Sequence, residues 1–356
     1  MKTLLEKILT KAIAGERIEA GEALLLLEKG NLLDLGFAAD RIRQRIHKNE
    51  TVTFVVDRNI NYTNVCESAC AFCAFYRPVH HPESYILETE EIFEKIEETI
   101  ALGGTQILMQ GGLHPNLDLD YFIELFRAIK KRYNIHLHCL SPVEIFYLSK
   151  KSNLSIEEVL QKLVEAGLDS IPGGGAEILA DEVRQKLSPG KVDAKNWLKV
   201  METAHNVGLK TTATMMFGSI ETYRQRITHL EAIRSLQDKT GGFTAFIPWS
   251  FQPANTALGG TEKSSWEYLK MLAVSRIYLD NIPNIQVSWV TQGPKVAQIA
   301  LSFGANDFGS TMLEENVVQA AGASFRMTKN EIINVIRDAG KKPAQRNTLY
   351  EIISGF

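Results

Sequence analysis

The 356-residue sequence predicts an α/β chain, a (β/α)8 barrel of TIM type behind an N-terminal helical extension. Short β-branched runs alternate with amphipathic stretches of helical length, the signature of βαβ units and a parallel sheet. Five helical stretches close on Gly or Asn just before the next strand, as in ALGGTQILM, EAGLDSIP and HNVGLKTTATM, where Gly supplies the left-handed cap. The first fifty residues contain no such run and read as helix throughout.

In chain order, Leu4, Leu5, Ile8 and Leu9 recur at helical spacing, as do Ala23, Leu24 and Leu27. The pattern alternates from Thr51, with TVTFVVD as the first strand. TQILMQ (105–110), NIHLHCL (134–140), LDSIPG (168–173), LKTTATMMFG (209–218) and GFTAFIPW (242–249) resemble it. IQVSW (285–289) and ANDFG (305–309) are weaker members. Helices are expected over 89–102, 119–132, 155–166, 194–207, 221–238, 264–280 and 293–303. About eight such units fit a (β/α)8 barrel. Periodicity alone leaves a doubly wound open sheet as the alternative. No linker divides the chain, so residues 1–50 read as the helical extension and 51–356 as the barrel with C-terminal helices.

Apolar residues make up 45% and charged residues 23%, ordinary for a soluble globular chain. A net charge of −3 offers no general attraction to nucleic acid or an anionic membrane, which points to a small-molecule substrate. The N-terminus mixes Lys and Glu into its apolar pattern, unlike a secretory signal, and a cytoplasmic location is expected.

Three of the four cysteines, Cys66, Cys70 and Cys73, fall in NYTNVCESACAFCAFYR just after the first strand. That clustering excludes a disulfide framework and suits metal binding. Cys139, alone in HLHCLS, reads as a buried strand residue. The C-x3-C-x2-C spacing, with the aromatic Phe72 before the last cysteine, suits a [4Fe–4S] cluster. Three thiolates hold three irons and leave the fourth for the amine and carboxylate of S-adenosyl-L-methionine (SAM). The spacing predicts a radical SAM site. A zinc centre with His80 or His81 as fourth ligand is the bland alternative, as is a ferredoxin-type cluster needing a fourth cysteine.

Cofactor-binding candidates follow at successive strand ends, where barrel active sites lie. Phe72 belongs with them. Gly111 and Gly112 in MQGGLHP let backbone approach the methionyl amine without a Cβ in the way. Ser141 in LSPVEI either contacts SAM or caps the next helix. Glu177 in IPGGGAEIL suits the ribose hydroxyls, its alternative being a first-turn helix carboxylate. Lys191 could pair with the SAM carboxylate or stand as a surface lysine.

Taken together, these motifs resemble the dehypoxanthine futalosine cyclase family of the futalosine route to menaquinone. SIPGGGAEIL and LQDKTGGFTAFIPWSFQPANTAL complete the match, which spans about residues 50 to 340. Aminofutalosine synthase and the FO synthase subunit of deazaflavin biosynthesis share the cluster loop. They tend to carry a Gly-Thr-Ala-type sequence for GGGAE and Leu for Trp249. Ser219 departs from the His common across the three groups, and no role is assigned to it. The resemblance implies an oxidoreductase that cyclises dehypoxanthine futalosine. A 5′-deoxyadenosyl radical takes hydrogen from C4′, the sugar carbon closes on the benzoate ring, and one electron and one proton leave. It also implies a low-potential donor such as flavodoxin or ferredoxin. Substrate candidates are Arg77 (for the benzoate carboxylate, or else a structural ion pair), Trp249 and Tyr62 (or else core), Gln252 and Asn255, with His114 as the base or as the cap of the following helix.

Overall fold

The computed structural model describes residues 2–323 and 325–356. Three helices, Lys2–Ala14, Ala20–Lys29 and Leu32–Ile46, precede the first strand. The third starts where the Asn31 side chain accepts from the backbone N–H groups of Leu33 and Asp34. Its buried stripe of Leu35, Ala38, Ala39 and Ile42 packs on the helix Ser265–Tyr278. The N-terminal helices therefore brace the outside of the barrel.

The run TVTFVVD forms two strands, β1 (Thr51–Val55) and β2 (Asp57–Ile60), separated by Val56. The strands that follow are β3 (Gln106–Met109), β4 (His136–Cys139), β5 (Ser170–Ile171), β6 (Lys210–Phe217), β7 (Phe243–Ser250), β8 (Asn284–Ile285) and β9 (Asp307–Ser310). The chain ends in β10 (Lys342–Arg346) and β11 (Ile352–Gly355). One sheet has the order β2-β3-β4-β5-β6-β7-β8, and the other β11-β10-β1-β9. All pairs are parallel except β10 with β11. A bridge between Gln286 and Asp307 joins the two sheets. There Val287 N–H donates to the Asp307 carbonyl at 3.0 Å and Asn306 N–H to that of Ile285 at 3.1 Å. Backbone pairing thus runs from β2 through β8 to β9 and back to β1, a closed parallel barrel rather than an open sheet.

Leu137 and Cys139 face outward into the layer of helices, where Phe126 and Leu163 join the same buried cluster. Cys139 is fully buried. The crossover helices lie close to their expected positions. Three features differ. Helices Pro142–Ser152 and Asp181–Leu187 add turns that no strong apolar repeat marks. LDSIPG keeps only two residues as strand, because Pro172 and the glycines after it end the ladder. After the helix Lys329–Asp338, the expected C-terminal helices give way to β10 and β11. KPAQR is too polar to signal a strand, yet it docks beside β1 with Gln345 and Arg346 buried.

Candidate active site

The cluster loop leaves β2 at Ile60 and returns to the helix Thr89–Ala101. Short bridges, Thr63 with Ile86 and Val65 with Arg77, hold its base. Arg77 fastens its turn, Nη1 donating to the carbonyls of Ala74 at 3.0 Å and Tyr76 at 2.9 Å while Nε reaches Glu83 at 2.7 Å. Within that turn Cys66, Cys70 and Cys73 are all free and line one cavity of about 410 Å³ in the barrel lumen. Burial pushes the Cys70 thiol up to about 12 and raises that of Cys73. Coordination to a metal overcomes such a shift, because the bound cation displaces the proton. Soft, clustered, unpaired thiols fit an iron–sulfur cluster.

The cavity continues along Gly111 and Gly112 at the end of β3. A Cβ on Gly112 would stand 2.1 Å from the Val65 carbonyl oxygen, and one on Gly111 would stand 2.6 Å from the Tyr62 ring. Both glycines are therefore required by packing against the cluster loop. Ser141 caps the helix Pro142–Ser152 and also lines the lumen.

Glycines 173–175 are tied down on every side. Thr214 Oγ1 donates to the Gly173 carbonyl at 2.6 Å, Trp197 Nε1 to that of Gly174 at 3.1 Å, and Arg184 Nη2 to that of Gly175 at 3.1 Å. Glu177 follows in the left-handed region at φ +41°, ahead of any helix, so it is not a first-turn carboxylate. Its Oε1 accepts from Lys191 Nζ at 2.5 Å. Its Oε2 is buried without a partner among the described residues, an acceptor to which a ligand hydroxyl can donate. Burial opposes the charge on Lys191, but Glu177 and Cys70 outweigh it and raise its affinity for the proton. The Lys191 ammonium lies 5.0 Å from the centre of the Phe72 ring, and both line the cavity, as does Trp249.

Five sequence-predicted residues are not among those lining the lumen. Tyr62 is buried beneath Gly111 and donates to Glu144. Arg77 is occupied by the cluster loop. His114 Nδ1 accepts from the Asn116 N–H at 3.0 Å, closing its own turn. Gln252 Nε2 donates to Ser250, and exposed Asn255 donates to the Ala320 carbonyl. His80 and His81 also lie outside the lining, and Ser219 Oγ donates to Glu221.

The lumen also holds residues that the sequence reading passed over: Asp57, Asn59, Asn61, His138, Arg346 and Tyr350. Asp57 and Asn59 alternate along β2, and Asn61 continues the spacing just past its end. A polar row with period two is the signal of a lined cavity, but here the charged Arg58 between Asp57 and Asn59 blurs it.

Comparison with known proteins agrees with this arrangement. The radical SAM superfamily model matches residues 60–233, and that of the CofH/MqnC C-terminal region matches 240–354. A cyclic dehypoxanthine futalosine synthase from Halalkalibacterium halodurans is 49% identical over 99% of this chain and 96% of its own. That of Streptomyces coelicolor is 46% identical over 98% and 89%. The 5-amino-6-(D-ribitylamino)uracil–L-tyrosine 4-hydroxyphenyl transferase of Methanothermobacter thermautotrophicus is 43% identical over 99% of both chains. Among solved structures, the FeFe-hydrogenase maturase HydG from Carboxydothermus hydrogenoformans superposes with a TM-score of 0.77 at 18% identity, covering 98% of this chain and 81% of the maturase. Methylornithine synthase gives 0.73 at 21%, covering 95% and 97%.

Proposed function

The chain belongs to the cyclic dehypoxanthine futalosine synthase family of the radical SAM superfamily, and we propose that it cyclises dehypoxanthine futalosine in menaquinone biosynthesis. Its cofactors are a [4Fe–4S] cluster and S-adenosyl-L-methionine. When bound, they supply a 5′-deoxyadenosyl radical, the species that takes hydrogen from C4′ of the substrate sugar.

The chain's own residues bind, order and shield. Cys66, Cys70 and Cys73 would hold the cluster at the mouth of the lumen. Gly111 and Gly112 would receive the methionyl amine, Ser141 lies beside them, and Lys191 would face the carboxylate. Glu177 Oε2, unpartnered and buried, would accept from the ribose hydroxyls. Phe72 and Trp249 supply flat apolar walls. A lumen closed by strands on all sides excludes water and stray hydrogen donors from a carbon radical. It also holds C4′ and the ring in contact, so positioning supplies much of the rate. The low-potential electron comes from a flavodoxin or ferredoxin in this reading.

The observation that carries the reading is one lumen lined by three free cysteines and by the unpartnered Glu177 carboxylate oxygen. The relatives at 43% identity favour a second reading, transfer of a hydroxyphenyl group from tyrosine. One assay separates the two. Anaerobically reconstituted protein with SAM and reductant should convert dehypoxanthine futalosine to a product lighter by two hydrogens. Turnover of tyrosine with 5-amino-6-(D-ribitylamino)uracil, and none of dehypoxanthine futalosine, would replace the cyclase reading.

A further inference from the structure

We propose that Asp57 is the base that takes the ring proton when the cyclised benzoate regains aromaticity, a role that rests on the cyclase reading above.

Its position makes the first argument. Asp57 lines the lumen, and the register sets it level with Gln106 of β3 and His136 of β4. It stands three residues before Ile60, where the cluster loop begins, so roughly 10 Å deeper along the barrel. Hydrogen is removed near the mouth. The sugar must lie next to that point, and the ring beyond the sugar. The carbon that sheds a proton therefore sits in the deep half of the lumen, level with Asp57 and remote from His114.

The neighbouring groups make the second. Arg346 is a cation already bound to Asp307, and its partner's oxygens are taken by Arg346 and Thr53. Tyr350 carries a buried hydroxyl with no partner among the described residues, a donor rather than an acceptor of protons. His138 spends Nδ1 on Ser170 at 2.6 Å, and burial pushes its imidazole down to about 3. Asp57 is held in place by Ser310 Oγ on one oxygen and the Gln106 amide on the other. The Gln106 carbonyl in turn accepts from Thr348 Oγ1 at 2.6 Å, which fixes the amide with its N–H groups toward Asp57. Each carboxylate oxygen keeps lone-pair capacity for one more proton. Burial, opposed by the two hydrogen bonds and Arg346 and reinforced by Asp307, pushes this carboxyl up to about 6. The charged and titratable groups sharing this end of the barrel are Arg346, Asp307, His136, His138 and Tyr350. Asp57 is thus ionised at neutral pH and a stronger acceptor than His138.

In the step assigned to it, the C–H bond at the attacked ring carbon breaks. The proton goes to Asp57, and the electron pair of that bond returns to the ring. The ring then carries one electron in excess of its aromatic complement, which passes to a one-electron acceptor of the iron–sulfur class.

Asp57→Asn tests this in reconstituted enzyme. We expect substrate affinity by calorimetry to change less than about threefold and 5′-deoxyadenosine still to form, while cyclised product per 5′-deoxyadenosine falls about 100-fold. Asp57→Glu should recover part of that yield. Unchanged yield in Asp57→Asn would overturn the assignment, and so would a parallel fall in 5′-deoxyadenosine, which marks a structural role. Should Asp57→Asn not fold, the wild type decides: yield per 5′-deoxyadenosine should drop in one step near pH 6 between about pH 8 and 5, and a flat profile overturns the role. A wild type that leaves dehypoxanthine futalosine untouched defeats the cyclase reading itself, and this role with it.

Discussion

The Tyr62 hydroxyl donates to Glu144 Oε1 at 2.7 Å, and the Gly111 backbone N–H donates to the same oxygen at 3.1 Å. The Ser141 N–H completes the set on Oε2 at 2.6 Å. One buried carboxylate therefore joins the cluster loop, the paired glycines and the cap of the next helix. Burial raises this carboxyl while the hydrogen bonds hold it back.

Glu144→Ala leaves three donors without an acceptor, two buried and the Gly111 N–H part-buried, the buried ones each costing about 1–3 kcal/mol. Urea unfolding of cluster-free protein should show a loss larger than that of Tyr62→Phe, which removes a single donor. Equal losses would mean that Glu144 does not link the three segments.

Glu177 and Lys191 support a different expectation. Glu177→Ala removes the unpartnered acceptor and should weaken SAM binding about tenfold or more, with iron content unchanged. Lys191→Met should do worse than Glu177→Ala, because it strands a buried carboxylate without its cation. Equilibrium dialysis against labelled SAM on reconstituted protein measures both.

Arg77 serves the cluster loop through three carbonyls rather than the lumen. Arg77→Ala should therefore lower iron incorporation, and the residual active fraction should keep the KM for substrate. Gly112→Ala should lower iron further, since its Cβ would overlap the Val65 carbonyl. A raised KM with full iron content in Arg77→Ala would return Arg77 to the substrate.

The cluster loop could be read in advance because its message is local: three thiols, a spacing and a preceding strand. The succession of strands and crossover helices followed from the alternation of apolar runs with helices. Closure into a barrel rather than an open sheet is shown instead by the pairing of β8 with β9 and of β9 with β1. The deep lumen was hidden for a physical reason. Asp57, Asn59 and Asn61 form a period-two polar row, but Arg58 interrupts it, and only the closed ring shows that their face turns inward. Arg346 and Tyr350 arrive from a C-terminal segment whose composition signals neither strand nor core. Arg77 and Gln252 were read by residue type as substrate groups and His114 as the base. Arg77 instead forms its alternative, a structural ion pair with Glu83, and holds nearby carbonyls, while His114 Nδ1 and Gln252 Nε2 bond nearby backbone. Residue type announces capacity; neighbours decide how it is used.

Acid should destabilise the fold through three histidines, His138, His229 and, less strongly shifted, His205, which burial pushes down to about 4. Burial pushes His138 and His229 down to about 3 from an ordinary 6.5, so the unfolded chain binds their protons first as pH falls. Between those values each removes about 1.4 kcal/mol of stability per pH unit. Asp57 works in the opposite sense, because its carboxyl at about 6 lies above the ordinary 3.8 and the folded state holds its proton through that interval. Below about pH 6 these groups together should cost roughly two protons' worth of stability, three from His138, His229 and His205 less one from Asp57. Urea midpoints measured down to about pH 4.5 should show it, and His229→Asn should flatten the slope.

Central to the account is a lumen that brings C4′ of dehypoxanthine futalosine to the cofactor end and its ring to Asp57. Substrate deuterated at C4′, incubated anaerobically with reconstituted enzyme, SAM and reductant, tests it most directly by mass spectrometry. The account predicts one deuterium in 5′-deoxyadenosine and a cyclised product without it; 5′-deoxyadenosine free of deuterium, or a product still carrying it at C4′, would contradict it.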